Sequence, residues 1–332
     1  MKRLIFLFAV FFSYILHAED NARYVDPFWG LDNSGNTFCG ATLPFSMVKL
    51  GPDSYCPSRW LNTNSGYSTG NRVYGFSHTH TSGTGGAAKY GHFAVMPMTG
   101  DVNRRDFGST VSEENASPGY YSCLLDREGV SCEFTLTPSV GVHHYRSTDG
   151  KPLSLLLDVS SLLDKGSTPQ RPLASAVRII SDTEISGYLS SEGGWNEGRP
   201  YRVWFYAVTD KPLSSCGTFR EGRMSEGARE EKSVNSKDFS RKAVYLRFDA
   251  SELTLKLAIS FKSAEKAKSN YFAQAADKSF SRIRQEARDT WNSYLDRVDI
   301  EAGDLQKMKF YTALYRAFTM PVNRTGEMAG WR

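Results

Sequence analysis

Past its first eighteen residues this chain has no long hydrophobic run. A bilayer-spanning helix takes about 20 apolar residues, so a helical membrane span after that point is excluded. It has no Cys-x-x-Cys pair, the spacing that zinc ribbons and fingers need. An excess of one charge is lacking too. Forty Lys and Arg, two of them Lys2 and Arg3, face 36 Asp and Glu, so the chain without those two is near +2. That is too little for the basic face of a nucleic-acid-binding protein. No internal repeat of fixed period is visible. The clustered acids, Glu113-Glu114 and Glu230-Glu231, sit in polar stretches and read as solvated charge. Asp26, Asp32 and Asp53 serve equally well as turn residues, so no catalytic acid or base is assigned.

What is present begins with an export signal over residues 1–18. Lys2 and Arg3 supply its positive start, Leu4 to Leu16 its apolar run, and Leu16-His17-Ala18 its cleavage end. The mature chain then starts near Glu19, and no cysteine follows closely enough for a lipid anchor. The expected location is the periplasm or the exterior. Five cysteines (Cys39, Cys56, Cys123, Cys132, Cys216) allow at most two bridges. If Asp126 to Gly129 is a four-residue turn, strands Tyr120–Leu125 and Val130–Leu136 put Cys123 opposite Cys132. That pair is the disulfide candidate; two buried thiols packing as small hydrophobes are the alternative. With 40% hydrophobic and 13% aromatic residues the chain can bury a sizeable core, and 332 residues are many for one core.

From Tyr24 to about Phe261 short alternating apolar runs are punctuated by Gly, Pro, Asn and Ser, among them Phe93–Met96, Val140–Tyr145, Leu153–Val159, Tyr201–Val208, Ala243–Phe248 and Leu253–Phe261. Period-two alternation repeated in series predicts a β-sandwich. Gly217 to Lys237 is polar and reads as a solvated loop or frayed hairpin. After Ser263 the period changes: Phe280, Ile283, Ala287, Trp291, Tyr294, Leu295 and Val298 draw one helical stripe, with Asp277 or Ser279 as N-cap. A second helix is expected from about Asp304 to Phe318, ended by Pro321. Trp204 and Trp291 lie within periodic segments and are expected in the core.

Two stretches carry the densest chemistry, Asn36 to Asp53 and Gly75 to Gly85. Their Gly, Thr, Ser and His content suits a polar ligand-facing edge better than a plain core strand. His78 and His80, two apart, share a face on a strand. Sugar-facing or interdomain hydrogen bonding, structural hydrogen bonding and a transition-metal site remain open for them, although a metal needs a third ligand that the sequence does not supply. Thr81 to Gly86 can turn tightly and present backbone N–H groups, or form a plain surface loop. Trp29, Phe38, Trp60, Tyr67, Tyr90 and Trp195 sit among small polar residues and are the candidates for stacking on sugar rings, with core packing the alternative for each.

The segments Tyr24-Val25-Asp26-Pro27-Phe28-Trp29-Gly30, Gly40-Ala41-Thr42-Leu43-Pro44-Phe45, Gly66-Tyr67, Tyr74-Gly75-Phe76-Ser77-His78-Thr79-His80 and Ser82-Gly83-Thr84-Gly85 resemble, in order, the opening of glycoside hydrolase family 92. Ala116-Ser117-Pro118-Gly119-Tyr120-Tyr121, Ile259-Ser260-Phe261, Glu286-Ala287-Arg288 with Trp291-Asn292, Phe310 to Tyr315 and Arg324-Thr325-Gly326-Glu327 extend the resemblance. It departs at Lys89-Tyr90-Gly91-His92, where members usually carry acids on both flanks, and at Cys39 and Ser46. The family consists of exo-acting, inverting α-mannosidases. The resemblance implies a mainly β fold: an N-terminal β-sandwich, a helical linker and an (α/α)6 barrel that carries the acid and base carboxylates and most calcium-binding side chains. On that pattern residues 19–265 are the sandwich, 266–300 the linker and 301–332 the start of a barrel that is otherwise missing.

The expected function is that of the N-terminal part of an exported α-mannosidase, of α-1,2 type, acting on mannose-containing glycans with a missing C-terminal catalytic domain as partner. The part is expected to be inactive alone, and calcium to serve the complete enzyme without binding here. The expected substrate-binding set is Trp29, Phe38, Gly40, Tyr67, His78, His80, Gly83, Thr84 and Gly85. Two other readings stand beside it, a self-sufficient carbohydrate-binding module and an assembly domain. An amputated sandwich should leave the stripe of Trp291 and Leu295, or the helix of Tyr311 and Tyr315, partly uncovered, whereas a self-sufficient module should bury both.

Overall fold

The computed structural model describes residues 20–32, 36–54, 65–81, 89–100, 102, 106–163, 170–194, 199–220, 223–234 and 240–327. The expected signal over 1–18, Cys56, Trp60, Gly83, Thr84, Gly85 and Trp195 lie outside them. Alternation builds two antiparallel sheets. The first orders β1 (Ala41–Thr42), β2 (Lys49–Asp53), β3 (Gly75–Ser77), β4 (Ala94–Thr99), β9 (Leu153–Asp158), β16 (Lys242–Arg247), β13 (Ser215–Arg220) and β14 (Arg223–Glu226). The second orders β15 (Glu230–Ser233), β10 (Gln170–Ile179), β11 (Glu184–Gly193), β12 (Tyr201–Thr209), β17 (Glu252–Ser260), β8 (Val140–Ser147), β7 (Val130–Leu136), β6 (Tyr120–Leu125) and β5 (Val111–Ser117). The polar stretch Gly217 to Lys237, read as a loop or hairpin, contributes β14 and β15, so it is more regular than its composition suggests.

Aromatic rings join the two sheets across the core. Phe76 meets Phe134 at 4.4 Å between centroids, and Phe93 meets Phe205 at 4.7 Å. On β12 the residues Val203, Phe205 and Ala207 point into this core and are fully buried. Trp204 therefore faces the other way, half-buried beside Arg202, which corrects its expected core position. The hairpin of β6 and β7 has the expected register, with Cys123 directly opposite Cys132. Both are held as buried thiols, and burial pushes the Cys132 thiol up.

Three helices follow: α1 (Ala264–Gln274), α2 (Phe280–Leu295) and α3 (Asp304–Phe318). The first falls in the helical linker expected over 266–300 but shows no stripe of its own, because it turns only Ala267, Asn270 and Tyr271 toward the protein. Ser263 caps it by accepting from Lys266 N. It lies on the outer face of the second sheet, where Val140, Val142, Tyr206 and Ala258 are buried with Ala267, Tyr271 and Ile283. Ser279, not Asp277, caps α2. The stripe ends at Leu295, leaving Val298 exposed beyond the helix.

Trp291, Leu295, Tyr311 and Tyr315 are each 0% exposed. These four are covered, yet Leu305, on the helix of Tyr311 and Tyr315, is 56% exposed, so that helix is partly uncovered as an amputated sandwich should leave it. The cover comes from residues 20–26 and the sheet edge. Trp291 Nε1 donates to Thr42 O at 2.6 Å, and Tyr24 stacks on Tyr311 at 5.8 Å. Ala22 N donates to Asn292 Oδ1 at 2.9 Å, and Asp26 N to Thr312 Oγ1 at 2.9 Å. Gly119, at φ +82°, lies against α2, where a β-carbon would come within 2.7 Å of Ala287 Cβ.

Candidate functional site

Between β2 and the start of β4 runs the segment His78 to Thr81. Lys49 N donates to His78 O at 2.9 Å, His78 N to His92 O at 3.0 Å and Gly91 N to Thr79 O at 2.8 Å. The segment thus continues the first sheet beyond β3, and its imidazoles turn into the protein: His78 is 0% exposed and His80 4%.

The hydrogen bonds assign the protons of the inner chain. His78 Nδ1 faces Phe93 O, a pure acceptor, at 2.8 Å, so Nδ1 carries hydrogen and Nε2 a lone pair. His143 Nε2, 2.9 Å away, must then donate to it, which leaves His143 Nδ1 to accept from Tyr145 OH at 2.7 Å. Both rings are neutral. Burial agrees, bringing His78 down to about 4 and pushing His143 well below the usual histidine value. Gly141 is small for this reason: a β-carbon there would sit 2.7 Å from His78 Cδ2. Gly141→Ala should cost roughly 1–3 kcal/mol by overpacking, read as a lower urea midpoint. A wild-type midpoint would show that the histidine pair yields easily.

His80 is arranged differently. Its Nδ1 lies 2.8 Å from Lys49 O and its Nε2 2.7 Å from Asp53 Oδ1, so acceptors face both nitrogens and one hydrogen is shared with the carboxylate. Phe38 covers the ring at 4.5 Å. Gly40 lets Phe38 in, since a β-carbon at Gly40 would stand 2.4 Å from Phe38 Cζ and 2.4 Å from Leu50 O.

A third chain links His92 to the second sheet. Thr79 Oγ1 accepts from His92 N at 3.0 Å and lies 2.7 Å from His92 Nδ1, to which its own hydroxyl donates. The Nε2 hydrogen then points at Tyr201 OH, 3.2 Å away, and Tyr201 OH at Gln170 Oε1, 3.4 Å away. Burial brings His92 down to about 3 and pushes Tyr201 up to about 12.

Glu114 departs from the solvated pair read in the sequence. The register of β5 against β6 shifts between Ser112 and Asn115, and Glu113 takes φ 52°. This bulge leaves Glu113 exposed and turns Glu114 inward. Glu114 Oε1 accepts from Tyr67 OH at 2.7 Å and Tyr121 OH at 2.6 Å. Burial first, then the carboxylate, pushes the Tyr67 hydroxyl far above its ordinary value. Glu230 and Glu231 pair with Arg178 and Arg220.

Of the expected substrate-binding residues, Phe38, Gly40, His78 and His80 come together inside the protein, with Phe38 at 4% exposure, and Tyr67 is buried on Glu114 at 2%. Their hydrogen bonds and packing are internal ones. Among the described residues of the set Trp29 alone is open, at 42%. Its loop is held by Arg316 of α3, whose Nη2 donates to Pro27 O at 2.6 Å and Nη1 to Phe38 O. Sequence reasoning did not single out His143, Gln170 or Arg316, marked His92 only as a departure from the family pattern, and placed Tyr145 and Tyr201 only as strand residues. The doubled His143-His144 on a strand was a usable signal; the others are recognisable only by their partners.

Among the described residues no three His, Cys, Asp or Glu side chains group to hold a metal ion. Asp53 Oδ2 is buried without a partner, yet calcium takes six to eight oxygens and no second carboxylate joins it. The described residues do not fit calcium. A recess of about 170 Å³ lies elsewhere, between Leu136 to Pro138 and the helices α1 and α2. Its polar groups are engaged: Gln274 Oε1 accepts from Thr137 Oγ1, and Lys278 pairs with Glu286.

The profile of the glycosyl hydrolase family 92 N-terminal domain matches residues 24–260, and that of the family 92 catalytic domain residues 266–331. A protein described as an uncharacterized secreted glycosidase of Arthroderma benhamiae is 26% identical, over 94% of this chain and 43% of its own length. A family GH92 α-mannosidase of Bacteroides thetaiotaomicron superposes with a TM-score of 0.79 at 28% identity, over 92% of this chain and 42% of its own. A family GH92 inverting mannosidase of the same organism reaches 0.75 at 22% identity, over 91% and 40%, a likeness of fold. The chain thus spans less than half the length of these relatives.

Proposed function

Because this chain belongs to glycosyl hydrolase family 92, we propose that it supplies the sandwich and first helices of an exported, inverting α-mannosidase of α-1,2 type that trims mannose-rich glycans. The observation that carries this is the order of the two matched domains along the chain, together with a sheet edge built from His78, His80 and His92. In the reading, the catalytic acid and base and the calcium ligands belong to residues outside this chain. Inversion needs two carboxyl groups about 6.5–9.5 Å apart with water between them. The acids Asp53, Glu114 and Glu327 are each already engaged with neighbours. The part contributed here is positioning. The inner histidine chains stiffen the edge, and Trp29 offers its ring to the apolar face of a sugar.

The 332-residue chain should release no mannose from α-1,2-mannobiose, with or without calcium, whereas the protein extended through a full catalytic domain should release it as the β-anomer first. Mannose release by the chain alone would sink the reading. In the extended protein Trp29→Ala should lower kcat/KM about tenfold or more, the worth of a lost stacking contact of roughly 1.5 kcal/mol, with the melting temperature unchanged.

The full burial of Trp291, Leu295, Tyr311 and Tyr315 favours a second reading, in which the chain holds its shape unaided and binds glycan as a module. Calorimetry with mannose oligosaccharides tests it, and an absence of heat at millimolar sugar removes it.

A further inference from the structure

Cys39, Cys123, Cys132 and Cys216 are all buried, but they are not equivalent. Cys216 stands opposite Leu246 in the ladder of β13 and β16, and Cys39 precedes β1, so neither faces a cysteine across a ladder. Cys123 and Cys132 face each other. They lie on the inner side of the β6–β7 hairpin, where Tyr121 and Leu125 on one strand and Val130 and Phe134 on the other also enter the core. A valine would fill either place and suit a strand, so burial alone does not account for two opposed sulfurs.

The backbone lets the two join. Residues directly opposite in an antiparallel pair stand about 4.5 or 5.5 Å apart at Cα, according to whether they exchange hydrogen bonds, and a disulfide spans about 4.4–6.8 Å. Either kind of pair fits. Cys132 Sγ donates to Val130 O at 3.6 Å, and the Cys123 thiol is its other hydrogen-bond partner.

We propose that Cys123 and Cys132 are a modification site, closed by thiol–disulfide exchange with a protein or glutathione disulfide into a cross-strand bridge that pins the β6–β7 hairpin. The bond chemistry is independent of the mannosidase reading; that the chain meets such an oxidant in the cell rests on its export. One thiolate of the pair attacks a sulfur of the incoming disulfide, forms a mixed disulfide and releases one thiol. The second chain thiolate attacks the chain sulfur of that mixed bond and releases the other thiol. Two chain thiols thus give up two electrons, one disulfide takes them, and the two protons end on the released thiols.

The folded core admits no oxidant. Cys132 is 0% exposed and Cys123 3%, and burial pushes the Cys132 thiol up, so it stays protonated. The hairpin itself is local: its turn from Asp126 to Gly129, where Gly129 N donates to Leu125 O at 2.9 Å, sets the register before distant strands need arrive. Exchange belongs to that open hairpin. Its strands later carry Tyr121 OH, which donates to Glu114 at 2.6 Å, and Thr135 Oγ1, which donates to Gly119 O at 2.9 Å beneath α2.

The test refolds the reduced, urea-unfolded 332-residue chain in an equimolar mixture of reduced and oxidised glutathione, then alkylates free thiols and digests with trypsin. Trypsin cuts after Arg127, between the two cysteines, and leaves them in the separate peptides Asp106–Arg127 and Glu128–Arg146. These should be recovered linked, and come apart on reduction. Reduction should also lower the folding constant about a hundredfold, the scale for so short a closed loop, read as a lower urea midpoint, and Cys132→Ala should show no such response to reductant. The peptide map is read on the unaltered chain, so a folding defect in the variant does not touch it. Recovery of both peptides unlinked, each with an alkylated cysteine, overturns the proposal. So does a bridge from either cysteine to Cys39, Cys56 or Cys216, or a glutathione adduct that never closes. Each of these failures leaves the mannosidase reading standing.

Discussion

Between pH 7 and pH 5 the folded chain should lose about 4 kcal/mol through His78 and His92 alone, roughly 2 kcal/mol from each. Both are buried neutral, His78 brought down to about 4 and His92 to about 3, against about 6.5 for a free imidazole. The unfolded chain therefore takes up protons that the folded one refuses. This stability is fully present above the unfolded value and drains away as pH falls from about 6.5 toward the folded ones. His143, lowered in the same direction, adds to the loss. Among the described residues no carboxylate faces His78, whose hydrogen-bond partners are Phe93 O and His143. Nor does one of the described residues face His92, which meets Thr79 and Tyr201 and feels the Arg324 charge, so none of them offers a counter-ion to hold either proton. Urea unfolding at pH 7 and pH 5 measures the difference. Equal free energies at the two pH values would mean that the imidazoles find water or a counter-charge on protonation.

Trp291→Ala should be the most damaging single substitution in the helical half. The ring is fully buried, lies 4.4 Å from Tyr315 and donates from Nε1 to Thr42 O at 2.6 Å. Removing a buried large aromatic typically costs about 3–5 kcal/mol, and the orphaned carbonyl adds to that. In a domain of this size the melting temperature should drop by roughly 10 °C. Trp291→Phe keeps most of the apolar volume and should lose about a third as much, chiefly the hydrogen bond. If the alanine variant melted like the parent, α2 and α3 would be passengers on the sandwich and not part of its cooperative unit.

The sandwich was legible because its strands are half-buried, so each one writes its two faces into alternate residues. Val203, Phe205 and Ala207 against Arg202 and Trp204 are a clear case. The hairpin around Asp126 to Gly129 was legible down to the pairing of Cys123 with Cys132, since loop length fixes register. By contrast α1 covers a sheet whose other face is already packed, and two small contacts and a tyrosine suffice; its stripe is too thin to read. The site was legible as a place more than as a set of roles. His78 and His80 stood out by residue type, yet a histidine that faces a sugar and one that faces a backbone carbonyl look identical in sequence. Glu114 was misread because its inward turn depends on a bulge, and a one-residue insertion in the pairing has no signature in the residues beside it.

The cover over Trp291 and Tyr315 also has a consequence in time. Residues 20 to 45 find their partners some 270 to 290 positions later, in Arg288, Asn292, Thr312 and Arg316. The segment from Asp20 to Phe45 can therefore be seated on these helices only after some 270 further positions have been made. Joining the two segments closes a loop of 270 residues, and the entropy of that closure is set against every contact they make.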